Sequence, residues 1–236
     1  METALDSRNI GLDLARVTES AALAAGRWIG SGNFDAAHAA ATEAMYNMLV
    51  TLGIGGCVAI GEDRIIDGKA ALCEGVTFGG GQPLCDLAVD PIDGTQLLIE
   101  GKPGAVSVIA VAPRHSIWSA GPAEYVDKIV VDRDAAHVLV PECMDAPAAW
   151  TLALIARAKK KAVRDLVVVV LQRLRHHDLI EEIRATGARI YLRQEGDAEG
   201  ALEAAMPGTG VDILLGIGGA SQGVLAACAV RALGGG

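Results

Sequence analysis

The sequence predicts a mixed α/β protein in two parts, an α+β half over residues 1–145 and an α/β half over 146–236. Three observations predict it. Two early segments carry apolar residues at helical spacing and then give way to short apolar runs of strand length. After about Asp145, strand-length runs alternate with helix-length segments, the rhythm of parallel strands joined by crossovers with both sheet faces covered. Hydrophobic residues are 51% of the 236 positions and charged residues 21%, which is ample for a core and excludes a wholly disordered chain. Aromatics are only 3%, so that core is built from Ala, Val, Leu and Ile.

The elements follow in order. Leu12, Leu14, Ala15, Val17, Thr18, Ala21, Ala22 and Ala25 recur at helix spacing from about Arg8 to Ile29, and Gly30-Ser31-Gly32-Asn33 breaks the pattern. A second helix runs from Phe34 to Thr51 and ends at Gly53, Gly55 and Gly56. Strands are expected at Cys57–Ile60, Asp86–Val89, Ala105–Ala112 and Lys128–Val131, with Gly79–Pro83 as a hairpin or open loop. These give two helices on a largely antiparallel sheet. Beyond Asp145, helices are expected at Pro147–Lys160, His176–Thr186, Ala198–Ala205 and Ser221–Leu233, with Pro147 in a first turn. Strands at Leu166–Leu171, Ile190–Leu192 and Val211–Leu215 lie between them.

The net charge of −9 argues against a broad nucleic-acid surface, which needs clustered Lys and Arg. The one basic cluster, Arg157–Arg164, reads as a solvated helix end. No run of about 18 apolar residues exists to span a membrane. The N-terminus lacks the basic start and apolar block of a secretory signal. Five cysteines without a C-x-x-C pair read as reduced thiols acting as small hydrophobes, so the expected location is cytoplasmic.

The most informative segment is Asp90-Pro91-Ile92-Asp93-Gly94-Thr95. An apolar strand delivers two carboxylates three positions apart, with a proline expected to set a turn between them. Hard divalent cations take several oxygen ligands, commonly carboxylates. Gly94 and Thr95 expose backbone N–H groups suited to a phosphate, and the Thr95 hydroxyl can orient a water. The plainer alternative is an acidic strand end without a ligand. A second strand also stops at carboxylates, Glu62 and Asp63, so one sheet edge can gather both sets.

These segments, together with Arg16-Val17-Thr18-Glu19-Ser20-Ala21-Ala22, Gly61-Glu62, Tyr125 followed by Lys128, Arg175-His176, Arg184–Ile190, Gly196-Asp197 and Gly216–Ala220, resemble class II fructose-1,6-bisphosphatases. That family lies within the lithium-sensitive, metal-dependent sugar phosphatases, and the order and spacing hold over almost the whole chain. The resemblance implies a layered α-β-α-β-α sugar-phosphatase fold and hydrolysis dependent on Mg²⁺ or Mn²⁺. It implies Glu62, Asp90 and Asp93 as metal ligands, with Gly94 and Thr95 at the reacting phosphate. It implies Tyr125, Arg173, Arg175, His176, Glu195, Gly196, Asp197 and Gly219 around the sugar and its second phosphate.

The departures from the family pattern are specific. His38 and Gln222 occupy two positions where the family has metal-binding carboxylates. Arg173-Leu174-Arg175 replaces Lys-Pro-Arg, and Glu195-Gly196-Asp197 replaces Asp-Gly-Asp. The loop Asp63–Asp67 departs from the regular acidic pattern, and the chain stops at Gly236 where family members continue. Two formal negative charges are lost at the metal site, which lowers the expected Mg²⁺ affinity. His38 is a softer ligand suited to Mn²⁺, Zn²⁺ or Fe²⁺, an acid–base group, or a passive core residue. Asp35, one turn earlier, is a compensating carboxylate. His115 is expected to be solvated and His137 structural.

Three functions fit: a sugar-phosphate phosphatase of altered specificity, a repurposed enzyme acting on a sugar or nucleoside-like substrate, and a non-catalytic sugar-phosphate-binding subunit. A homo-oligomer is expected from the modest charge and the mean hydropathy of +0.35. Neither nucleic acid nor membrane is an expected partner.

Overall fold

The protein was analysed as a computed structural model that describes residues 10–62, 71–79, 84–119 and 121–236. The rewritten acidic loop Asp63–Asp67, most of the Gly79–Pro83 segment and the start of the first helix at Arg8 lie outside the described residues. The chain divides into two compact units, residues 1–119 and 120–236.

In the first unit, helices α1 (Ile10–Gly26) and α2 (Phe34–Leu52) lie side by side. Asn33 caps α2, its side-chain oxygen accepting from the Ala36 N–H at 3.1 Å, and Gly53 closes it in the left-handed region at φ 64°. Val17, Ala21 and Ala25 of α1 and Ala37, Ala41, Met45 and Leu49 of α2 join one core with Leu87, Val89 and Ile92. The sheet beneath holds β1 (Gly56–Ile60), β2 (Thr77–Phe78), β3 (Cys85–Asp93) and β4 (Val106–Pro113), in the order β2-β1-β3-β4. β1 and β3 run parallel, whereas β2 and β4 are antiparallel to their neighbours.

β3 does not turn at Pro91. It continues as a fully buried strand to Asp93, with a bulge: Asp90 is opposite Val108 and Asp93 opposite Val106, so three residues advance against two. Proline is tolerated there because the bulge has already broken the ladder. The five-residue helix α3 (Thr95–Ile99) follows directly.

The second unit contains β5 (Tyr125–Val130), α4 (Ala148–Ala158), β6 (Val167–Leu171), α5 (His177–Ala185), β7 (Arg189–Arg193), α6 (Asp197–Ala205), β8 (Ile213–Gly219) and α7 (Ala220–Leu233). Its sheet runs β5-β8-β6-β7, with β6 parallel to both β7 and β8. Val168 and Val170 face Leu152 and Ile155 of α4 and Ile180 and Ile183 of α5. Val169 faces the other way, against Ala201, Ala204 and Ala205 of α6 and Ala226 and Val230 of α7. The strand period of two thus sorts one valine run onto two helix layers.

Two expectations are corrected. The units divide at Ser119/Ala120 and not at 145, because β5 pairs antiparallel with β8 along its whole length and so belongs to the second sheet. The Arg157–Arg164 cluster is not simply solvated. Lys159, its side chain 9% exposed, lies between Asp132 (2.7 Å) and Asp212 (3.4 Å), and Lys161 pairs with Asp212 at 2.6 Å.

Candidate functional site

The expected site residues form two sets, one in each unit. In the first unit β1 and β3 run parallel in the register Ile60↔Ala88, so Glu62, just past the end of β1, follows the strand beside the Asp90 stretch of β3. His38, in the first turns of α2, is buried with Nε2 2.7 Å from the Glu62 carboxylate. Its Nδ1 lies 3.4 Å from the Thr42 hydroxyl, and its ring stacks on Phe34.

Asp90 and Asp93 are each 6% exposed. Three residues apart in a regular strand they would project to opposite faces. The bulge restores the match: their partners Val108 and Val106 are two apart, so both carboxylates share the face opposite Val89 and Ile92 of the core. Asp90 Oδ1 accepts from the Ile92 N–H at 3.1 Å, which holds the bulge from inside. Gly94 follows at φ 85°, where a Cβ would be strained. The Thr95 hydroxyl donates to the Ile92 carbonyl at 3.0 Å, leaving its lone pairs as acceptors.

Among the described residues no three His, Cys, Asp or Glu side chains are placed to hold a metal ion. His38 Nε2 and the Glu62 carboxylate contact each other, so a divalent ion drawing on Glu62 would compete with this pair. Asp35 is exposed, whereas His38 is buried.

In the second unit the carboxyl ends of β6, β7 and β8 collect the remaining residues at one sheet edge, where ligands of α/β sheets bind. Arg173 and Arg175 follow β6, Glu195, Gly196 and Asp197 follow β7, and Gly219 ends β8 opposite Tyr125 of β5. Gln222 stands in the first turn of α7. Arg175 donates from Nε (3.1 Å) and Nη2 (2.8 Å) to the Ile217 carbonyl, and its guanidinium lies 5.1 Å from the centroid of the Tyr125 ring. Arg173 donates to the Gln194 carbonyl and lies 3.9 Å from Glu195.

Asp197, the first residue of α6 after Gly196 at φ 84°, forms a buried ion pair with Lys128 of β5. Gly218 lies directly beneath this pair, where any Cβ would collide with both groups. His176 is buried and both ring nitrogens bond to backbone, so it offers no free polar atom to a ligand. A cavity of about 200 Å³ adjoins this edge, lined by Asp127, Arg175, His176, Glu182 and Ile217 among others.

Two groups escaped the sequence reading. Asp86, buried in β3, pairs with Arg114 and accepts from the Ser116 and Ile117 N–H groups, tying down the loop after β4. Arg193, buried at the end of β7, pairs with Glu199 and Glu203 of α6. The i, i+6 and i, i+10 spacing of that triad crosses a loop, so no helical rule flags it.

A family model described as bacterial fructose-1,6-bisphosphatase, glpX-encoded, matches residues 8–236. The chain is 38% identical over 230 residues to a class 2 fructose-1,6-bisphosphatase of Haemophilus influenzae, covering 97% of this chain and 68% of the relative. It is 37% identical to a class 2 fructose-1,6-bisphosphatase/sedoheptulose-1,7-bisphosphatase of Thermosynechococcus vestitus, covering 96% of this chain and 67% of the relative. A relative of the same name from Gloeobacter violaceus is 36% identical, covering 96% and 68%. Among solved structures, an extragenic suppressor protein from Pyrococcus furiosus aligns with a TM-score of 0.50 at 11% identity, covering 94% of this chain and 82% of that one, a likeness of fold alone. With nearly its whole length matched, this chain belongs to the class II, glpX-encoded fructose-1,6-bisphosphatase family.

Proposed function

We propose that the chain hydrolyses a phosphate monoester of a sugar or related small molecule, a fructose-1,6-bisphosphate-like compound in the first instance. The observation that carries this reading is the bulge of β3. It turns Asp90 and Asp93 to one face, beside a threonine whose hydroxyl proton is already committed. Thr95 can therefore only accept from a water, which orients that water's oxygen lone pair outward. A neighbouring carboxylate takes a proton from the water as the water's oxygen bonds to phosphorus and the bond from phosphorus to the sugar oxygen breaks, and that proton then passes to the departing sugar oxygen. In the second unit, Arg173, Arg175 and the N-terminus of α6 suit a phosphate group, and Tyr125, Glu195 and Asp197 suit sugar hydroxyls.

Membership of the family supports a divalent cofactor, Mn²⁺ or Mg²⁺, with Glu62, Asp90 and Asp93 as oxygen donors and His38 as a nitrogen that favours Mn²⁺. Binding it requires Glu62 to leave His38. Five cysteines, none in a disulfide among the described residues, support a cytoplasmic setting. Among the described residues no helix is long and apolar enough to cross a membrane.

The test is phosphate release from a panel of sugar bisphosphates and nucleotides, with Mg²⁺ or Mn²⁺ and again after chelation. Release from a bisphosphate that stops on chelation is the expected result. Turnover of a sugar or nucleoside without phosphate release would mean a repurposed scaffold. Tight binding without turnover would mean a sugar-phosphate-binding subunit.

A further inference from the structure

His176 is 2% exposed, and its protonation is legible from its partners. Nδ1 lies 2.7 Å from the Leu171 carbonyl, which can only accept, so Nδ1 carries a proton. Nε2 lies 2.8 Å from the Ile217 N–H, which can only donate, so Nε2 carries none. The ring is a single neutral tautomer bridging the end of β6 and the outer part of β8.

The bridge sits where the strands part. β6 and β8 pair only at Val168↔Ile213 and Val169↔Leu214. Beyond Val169 they separate, and the imidazole fills the opening. Gly216 makes room for it: at φ 133°, a Cβ there would approach Nε2 to 2.9 Å. The same Ile217 residue works in both directions, because its N–H is held by His176 while its carbonyl receives both Arg175 bonds. Arg175 in turn lies against Tyr125.

We infer that His176 is a positioning residue: through the Ile217 backbone it sets the orientation of Arg175 against Tyr125 and thereby the affinity for a phosphate-bearing ligand. This rests on the reading that Arg175 and Tyr125 contact the substrate. His176 itself touches no ligand.

The test compares His176→Ala, Arg175→Ala and the double variant for binding of fructose 1,6-bisphosphate and of inorganic phosphate by calorimetry, and for kcat and KM. His176→Ala is expected to weaken binding and raise KM about 10-fold, the scale of one hydrogen bond to a charge-bearing site, with kcat changed less than about 3-fold. In the Arg175→Ala background the same change should add less than about 2-fold, since the residue through which it acts is gone. His176→Gln, whose carbonyl can accept from Ile217, should recover most of the affinity. Equal losses in both backgrounds, or a fall in kcat at constant KM, would overturn the inference. So would nitrogen NMR showing the proton on Nε2 in the unaltered protein, a reading independent of any variant's folding. Binding that follows this pattern without turnover would sink the phosphatase reading and leave the positioning role standing. No binding of either probe by the unaltered protein would overturn both.

Discussion

His38 and Glu62 decide what the first unit can do with a cation. Their 2.7 Å contact pairs a half-buried carboxylate with a buried imidazole. His38→Asp places two carboxylates against each other instead. Without metal, like charges at that separation repel, so the melting temperature should fall. With Mg²⁺ they become oxygen ligands, so affinity by calorimetry should rise about 10-fold and the melting temperature should recover. A variant indifferent to Mg²⁺ would show that position 38 does not face the cation. Asp90→Asn keeps the Oδ1 that accepts from Ile92 but removes the charge. Turnover should fall by about 100-fold or more at unchanged melting temperature, and near-normal rates would refute the site.

Asp86 supplies a pH signature. Burial acts to raise its pKa, but hydrogen bonds from Arg114, Ile117 and Ser116 outweigh it and hold the carboxyl below its ordinary 3.8. A folded-state pKa below the unfolded one stabilises above the unfolded value and loses that contribution as pH falls through the folded one. Arg114→Ala should therefore lower the urea midpoint at pH 7. The gap from the unaltered protein should narrow once pH drops below about 3.8. A gap that stays constant into acid would rule out this pair as its cause.

At the scale of elements, the bulge of β3 and the packing of β8 do most to shape the two sites. Gly218 lets β8 pass beneath the Lys128–Asp197 pair. Gly218→Ala must displace a buried ion pair, so it should cost about 3 kcal/mol in denaturant unfolding, the scale of breaking such a pair. A cost within about 0.5 kcal/mol would mean that the pair relocates freely.

This scale also explains what was legible in the sequence. Both helices of the first unit and all the alternating elements of the second were legible, because periodicity and caps are local signals. That β1 and β3 are neighbours was suggested by two apolar runs that each lead into carboxylates, and the parallel register Ile60↔Ala88 gives their alignment. The allegiance of β5 was not, since its partner β8 lies far along the chain. Asp90-Pro91-Ile92-Asp93 read as a turn because proline usually ends a strand, and only the pairing with Val106 and Val108 reveals a bulge. Lys128–Asp197 was hidden as a pair for the same reason as β5. The contact that ties Glu62 to His38 was not legible, since α2 and the end of β1 meet only in the fold.

At the scale of the whole molecule, association is the open property that the structure informs. Among the described residues β4 pairs with β3 alone, and its eight residues carry no charge. Ser107 Oγ in that strand is buried without a hydrogen-bond partner among the described residues. Uncharged edges of this length recruit another strand. Light scattering at micromolar concentration should therefore report a dimer or larger. Ala110→Lys, on the sheet face away from Ile109 and Val111 of the core, should shift it toward monomer. A monomeric mass for the unaltered protein would refute this.

The pairing of β5 with β8 has a consequence for synthesis. A chain leaving the ribosome exposes β5 first of all the strands of its sheet, yet among the described strands β5 pairs with β8 alone, the last of them to emerge. Residues 1–119 can reach their own contacts while this is happening. The second sheet cannot close until nearly all of it has been translated, so a nascent β5 spends that interval as an unpaired ribbon of Val126, Ile129 and Val130. Ribosome stalling between α6 and β8 would thus present chaperones with a finished first unit and a sticky, half-built second one.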